Sequence, residues 1–161
     1  MDWDLISDVI LVTAFAILGA LAMLGLIQLI SRRSLKKVDH ELLMFPMPLA
    51  IMAIVYVVFE KFLILNTRPN GSGEPSFPST HVMIAATIFF MVAVVLPRYI
   101  KSKVLCAMFD IIMLILLVLV CTGRILANMH WPTDVAGGVV FASIFAAIYY
   151  LLIKPKKKEK K

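Results

Sequence analysis

Charged side chains are scarce in this chain. They make up 16% of its 161 residues, whereas 61% of the residues are apolar and the mean hydropathy is +0.95. A soluble domain keeps a polar shell and is about half apolar and a quarter charged. The composition therefore excludes an ordinary soluble domain and indicates that much of the surface faces lipid.

Cysteine and histidine are also few, with two and three copies. Cys106 and Cys121 fall on one predicted helix, about 22 Å apart, which excludes an intrachain disulfide. His40 is predicted on the opposite membrane side from His81 and His130, so a three-histidine metal site is excluded. Two histidines and Asp134 remain as a metal donor set, but we expect no metal and no cofactor.

What the chain does contain is a series of long apolar runs. They cover residues 5–30, 42–65, 80–96, 104–126 and 133–153, and each is close to the roughly 20 residues that cross a bilayer as a helix. A barrel would instead show short alternating strands. The sequence predicts an all-α integral membrane bundle of about five transmembrane helices. Residues 1–153 form one domain, followed by a basic tail at 154–161.

The N-terminal run is not expected to be a cleavable signal. It follows the acidic residues Asp2 and Asp4 and is longer than the apolar core of a signal peptide. We therefore predict that it stays in the protein as the first transmembrane helix.

The lysines and arginines are distributed unevenly over the loops. Four follow the first run, three follow the third and six fill the tail, so 13 of the 16 lie on one side of a five-helix protein. The positive-inside rule makes that side cytoplasmic. The N-terminus is then outside and the C-terminus inside, and the tail serves as a topology anchor at the membrane lipids. This distribution argues against a nucleic-acid partner despite the net charge of +6.

Three cations fall on the outer side, where that rule gives them no role: Lys61, Arg68 and Arg124. An anionic substrate group, with phosphate the common one for lipids, is the simplest explanation. The alternative is that each cation pairs with a nearby acid, namely Glu60, Glu74 or Asp134.

Two further outer segments carry polar residues suited to phosphate chemistry. Ser79 is a natural N-cap for the third helix, and the free amides near Thr80 form an anion site beside His81. Capping alone explains Ser79 but not His81. In the last segment, His130 and Asp134 are four residues apart, so a carboxylate can orient the imidazole and leave its other nitrogen free to attack.

Together these segments resemble the type 2 phosphatidic acid phosphatase family, also called lipid phosphate phosphatases. Its three signature blocks match Lys61 with Arg68-Pro69, then Pro78-Ser79-Thr80-His81, then Gly123-Arg124 with His130 and Asp134. Thr80 replaces a glycine and Gly123 replaces a serine of that pattern. The matched region runs from residue 61 to about 138, and the family's membrane members have six helices where five are predicted here.

The resemblance implies a role for each matched residue. His130 would attack phosphorus and become phosphohistidine, with Asp134 orienting it, and His81 would protonate the leaving oxygen. The phosphate oxygens would be bound by a set of polar and cationic side chains: Lys61, Arg68, Ser79, Thr80 and Arg124. Water would then hydrolyse the intermediate without a metal.

The predicted function is therefore a lipid phosphatase of the cell membrane with its site on the extracytoplasmic face. A polyprenyl diphosphate such as undecaprenyl diphosphate is the favoured substrate. Phosphatidic acid, phosphatidylglycerol phosphate and a phosphorylated glycolipid remain alternatives. A non-catalytic binder or transporter of phosphorylated lipid is the alternative from another class. The oligomeric state stays open.

Overall fold

The computed structural model describes residues 2–155, and within them the regular structure is helical. The helices are α1 (Trp3–Arg32), α2 (His40–Met44), α3 (Pro46–Lys61), α4 (Thr80–Tyr99), α5 (Lys103–Leu126) and α6 (Pro132–Ile153), with a 3-10 turn at Leu35–Lys37. Because α2 runs on into α3, they form one span, and five segments are long and apolar enough to cross a membrane. This confirms the all-α fold and the five predicted spans.

The end of the second span was predicted wrongly. The apolar run continues to residue 65 and predicted a helix to that point, but α3 ends at Lys61. The backbone leaves the helix early because Asn66 and Arg68 pair with a later segment: Ser76 N–H donates to Asn66 O, and Arg68 N–H donates to Glu74 O. The other four spans differ from the predicted bounds by at most three residues at either end. Of the predicted basic tail, residues 156–161 lie outside the described part of the chain.

The central helix of the bundle is α4, which packs against α1, α5 and α6. Its buried positions include Ala85, Ala86 and Phe89. Small residues let helix backbones approach closely within a membrane. At Gly138 of α6, an added Cβ would lie 3.0 Å from the carbonyl oxygen of Ser79. This close approach places the start of α4 directly against α6.

The bundle has two chemically different ends. The site end holds the N-terminus of α1, the loop 62–79 and the turn 127–131; the far end holds the linkers 33–39 and 100–102 and the C-terminus of α6. The free cysteines Cys106 and Cys121 lie within α5, outside the loops of both ends.

Candidate active site

The loop 62–79 folds back on itself and presents Arg68. An isolated antiparallel bridge joins Thr67 to Pro75, and the turn between them uses Gly71 and Gly73 at φ of +79° and +75°. Glycine adopts this left-handed region without the steric cost that other residues meet. The short hairpin therefore depends on its glycines, and Arg68 is fixed at its base, where it also pairs with Glu74 at 3.1 Å.

The start of α4 is held by α6 rather than by its own cap. Ser79 occupies the N-cap position as predicted, but its side chain makes no capping hydrogen bond. Its backbone N–H donates to the backbone carbonyl oxygen of Asp134 at 3.0 Å. The Ser79 hydroxyl is fully buried and has no partner among the described residues. This hydroxyl therefore keeps an unused donor at the start of α4.

His130 is buried in the turn before α6, with 4% of its surface exposed. Its Nδ1 lies 2.8 Å from the backbone carbonyl oxygen of Ser76, and because a carbonyl only accepts, Nδ1 carries the proton. The unprotonated atom is then Nε2, which has the lone pair a nucleophile needs. The tautomer expected of a nucleophilic histidine is present, set by a backbone carbonyl.

Asp134 does not make the hydrogen bond expected of it. Its Oδ2 is 4.0 Å from His130 Nδ1, which is too long for a hydrogen bond. Instead Oδ2 accepts from the Trp131 backbone N–H at 2.9 Å, and Oδ1 accepts from the Asn66 side chain at 3.0 Å. The helix begins only at Pro132, so the residue spacing does not bring the two groups together across a turn. Asp134 therefore ties the two loops together and lies beside His130 as a nearby negative charge.

The surroundings of His130 keep its ring neutral. Burial lowers the pKa of His130 to about 4, and the positive charges of Arg124 and Arg68 act in the same direction. The Ser76 carbonyl and Asp134 oppose the shift but do not cancel it. At neutral pH the ring is thus in the form that can attack an electrophile.

The first two turns of α1 supply acids to the site. Arg124, which is 3% exposed, donates to Asp4 Oδ1 at 2.5 Å. His81 Nε2 lies 2.9 Å from Asp8 Oδ1. Arg68 and Arg124 therefore each pair with an acid, which was the alternative explanation of the outer cations. The partner of Arg124 is Asp4, which was not among the acids named from the sequence.

The residues of the loops converge on a small cavity of about 70 Å³. Its lining includes Arg68, Ser76, Thr80 and His130. Lys61 is exposed as the last residue of α3, and the cavity is lined by its neighbour Glu60 instead. The structure thus brings Arg68, Thr80 and His130 together at the cavity. The other predicted site residues do not line it: Lys61, Ser79, His81, Arg124 and Asp134.

A larger apolar groove of about 400 Å³ lies between α1 and the α2–α3 span, toward the far end. None of the predicted site residues lines it.

Several buried donors at the site end have no partner among residues 2–155. They are the hydroxyls of Ser76 and Ser79 and the Nε groups of Arg68 and Arg124. A buried donor without a partner costs about 1–3 kcal/mol, so such groups at a cluster of cations indicate a site for a hydrogen-bond acceptor with negative charge. Within the same residues, no group of three or more His, Cys, Asp or Glu side chains is arranged to hold a metal.

Sequence reasoning missed four residues of this site: Asp4, Asp8, Asn66 and Ser76. Ser76 acts through its backbone carbonyl, for which no sequence signal exists. The acids of α1 carried a weak signal, because two carboxylates four residues apart at the start of an apolar helix share one face.

Comparison with known proteins gives two matches. A family model described as the PAP2 superfamily matches residues 56–158. The fold is similar to the crystal structure of a transmembrane PAP2-type phosphatidylglycerolphosphate phosphatase from Bacillus subtilis, with a TM-score of 0.74 and 20% sequence identity. That match covers 96% of this chain and 78% of the other. No curated protein sequence matches significantly.

Proposed function

This chain belongs to the PAP2 superfamily, and we propose that it is a membrane lipid phosphatase acting through a phosphohistidine at His130. The proposal rests on which side chains the site end brings together. A buried neutral histidine lies among cationic and hydroxyl donors, several of them without a partner. Phosphoryl transfer depends mainly on such positioning and charge neutralisation.

The proposed first step follows from the tautomer of His130. Nε2 attacks phosphorus while Nδ1–H donates to the Ser76 carbonyl. The bond from phosphorus to the leaving oxygen breaks, and His81 gives that oxygen a proton. The unpartnered groups of Arg68, Ser79 and Arg124 stabilise the charge on the transferring phosphoryl group.

The second step releases phosphate from the protein. Water attacks the phosphorus, His81 takes the proton that water loses, and the bond between phosphorus and His130 breaks. Asp134, held by Asn66 and Trp131, stabilises the positive charge that His130 carries in the intermediate. His81 gives the proton in the first step and takes one in the second, and neither proposed step uses a metal.

The proposed location of the site is the extracytoplasmic face of the cell membrane. The basic linkers 33–39 and 100–102 belong to the far end, and the positive-inside rule assigns such loops to the cytoplasm. An outward site favours a polyprenyl diphosphate, such as undecaprenyl diphosphate, as the substrate. Phosphatidylglycerol phosphate is the second candidate substrate, because the solved structure of similar fold is a phosphatidylglycerolphosphate phosphatase. Phosphatidic acid is the third.

The test is phosphate release by purified protein in detergent, with a chelator present, from a polyprenyl diphosphate, phosphatidylglycerol phosphate and phosphatidic acid. We expect release by the wild type and none by His130→Ala. His40→Ala is the matched control, because His40 contacts Leu152 O at the far end and is expected to leave activity intact. Acid-labile label from a ³²P substrate should appear on the wild type and be absent from His130→Ala.

Three outcomes would contradict the proposal in different ways. Lipid binding without release by the wild type indicates a non-catalytic binder. Release that survives His130→Ala shows that another residue is the nucleophile. Release abolished by the chelator shows that a metal is required.

A further inference from the structure

We infer that Asp8 is the positioning residue for the general acid His81, a role that rests on the proposed function. The Asp8 carboxylate accepts from Nε2 of His81 at 2.9 Å. With Nε2 occupied, Nδ1 is the nitrogen that remains to give a proton to the leaving oxygen. Asp8 lies outside residues 56–158, the region that matches the family model, so none of the matched motifs includes it.

The two histidines have different partners, and the difference fits their roles. His130 donates to a neutral backbone carbonyl, which fixes a single neutral tautomer for attack. His81 faces a carboxylate, which is the partner of a ring that must carry two protons and give one away. The same ring, once neutral, can take a proton from the attacking water.

The position of Asp8 is fixed by contacts of the preceding turn of α1. One turn earlier, Asp4 pairs with Arg124. Between them, Ser7 is fully buried, and its Oγ would lie 2.4 Å from a Cβ added at Gly123. The missing side chain at Gly123 therefore lets α1 approach α5 closely enough for Asp8 to reach His81.

A purely structural reading of Asp8 is that it anchors α1 to α4. The two readings differ in their dependence on the leaving group. An alkyl phosphate leaves as an alkoxide and needs the proton, whereas p-nitrophenyl phosphate leaves as a stable anion and does not. A positioning residue therefore affects the first substrate far more than the second, and an anchor affects both equally.

The experiment measures release of the leaving group in the first turnover, from phosphatidic acid and from p-nitrophenyl phosphate. For Asp8→Asn we expect a loss of roughly 10- to 100-fold on phosphatidic acid, a part of the usual contribution of general acid–base catalysis, and a much smaller loss on p-nitrophenyl phosphate. Asp8→Glu should recover part of the activity. Asp2→Asn removes another acid of the same helix end while preserving its N-cap, and it should match the wild type.

A double-mutant cycle makes the assignment specific. In a His81→Ala background, Asp8→Asn should cause no further loss on phosphatidic acid, because its effect passes through that ring. Equal losses on both substrates, no loss, or additive losses in the cycle would each overturn the inference. A wild type that releases no phosphate from any substrate would instead overturn the proposed function.

Discussion

Both ends of the bundle contain arginine–carboxylate pairs, but only the site end has buried donors without a partner among residues 2–155. At the far end, Asp39 accepts from Arg32, Gln28 and Tyr99. Arg98 donates to Glu41 and to the carbonyl of Ile153. The hydrogen-bonded pairs of the far end thus stabilise the fold. The unpartnered donors of the site end lower the stability and remain available to an anionic ligand. The following predictions test that difference, from the largest expected effect to the smallest.

Matched arginine substitutions should separate the two ends most clearly. Arg124→Gln should lower kcat/KM by about 10²–10³-fold, the usual loss for one transition-state donor, and should also lower the thermal midpoint because its buried pair with Asp4 is lost. Arg98→Gln should leave the activity of the folded protein intact and reduce stability by on the order of 1 kcal/mol. Thermal melts in detergent and phosphate release measure both. The contrast between the ends would be wrong if Arg98→Gln lowered kcat/KM of the folded protein as much as Arg124→Gln does.

The pH dependence of kcat/KM should report the burial of His130. Its pKa of about 4 means that the His130 ring remains neutral as the pH falls, until the pH approaches 4. The acidic limb assigned to His130 should therefore lie near that value rather than near the ~6.5 of an exposed histidine. A profile measured in a pH-stable detergent tests this. A limb near the ordinary value would show that the site is open to water.

Gly123→Ala should show that α1 belongs to the site. The added Cβ would lie 2.4 Å from Ser7 Oγ, an overlap that costs about 1–3 kcal/mol in a packed interior. Activity should fall with stability because Asp4 and Asp8 move with α1. Adding Ser7→Gly should remove the overlap with Ser7 Oγ and recover part of both, while the backbone oxygen of Trp3 would still lie 3.2 Å from the added Cβ. Failure of the second substitution to help would place the strain elsewhere.

The two serine N-caps should give the smallest effects, again divided by end. Ser102 accepts from Leu105 N–H with its side chain, so Ser102→Ala should cost about 1 kcal/mol of stability and leave activity unchanged. Ser79 makes no capping bond, so Ser79→Ala should reduce phosphate release without a comparable loss of stability. Equal melting shifts in both variants would show that Ser79 acts as a cap after all.

The candidate site could be predicted from the sequence where chemistry is tied to local spacing. The apolar runs predicted the five spans because a lipid-exposed backbone must satisfy its own hydrogen bonds. The three signature blocks named Arg68, Ser79, Arg124 and His130, and the family match confirms the resemblance. Local spacing did not predict structure that depends on contacts between segments distant in the sequence. The end of α3 is set by pairing between Asn66 and Ser76, and this long-range contact leaves no periodic pattern.

Sequence alone thus determined the membrane bundle and the residue types available for phosphate chemistry, because length, apolarity and motif spacing are properties of the chain. Only the tertiary structure decided which groups meet. The Ser76 carbonyl takes the place expected of Asp134 beside His130, and α1 adds Asp4 and Asp8 from the other end of the sequence. The physical reason is that hydrogen bonds act over about 3 Å, so partners are chosen by helix packing rather than by distance along the chain.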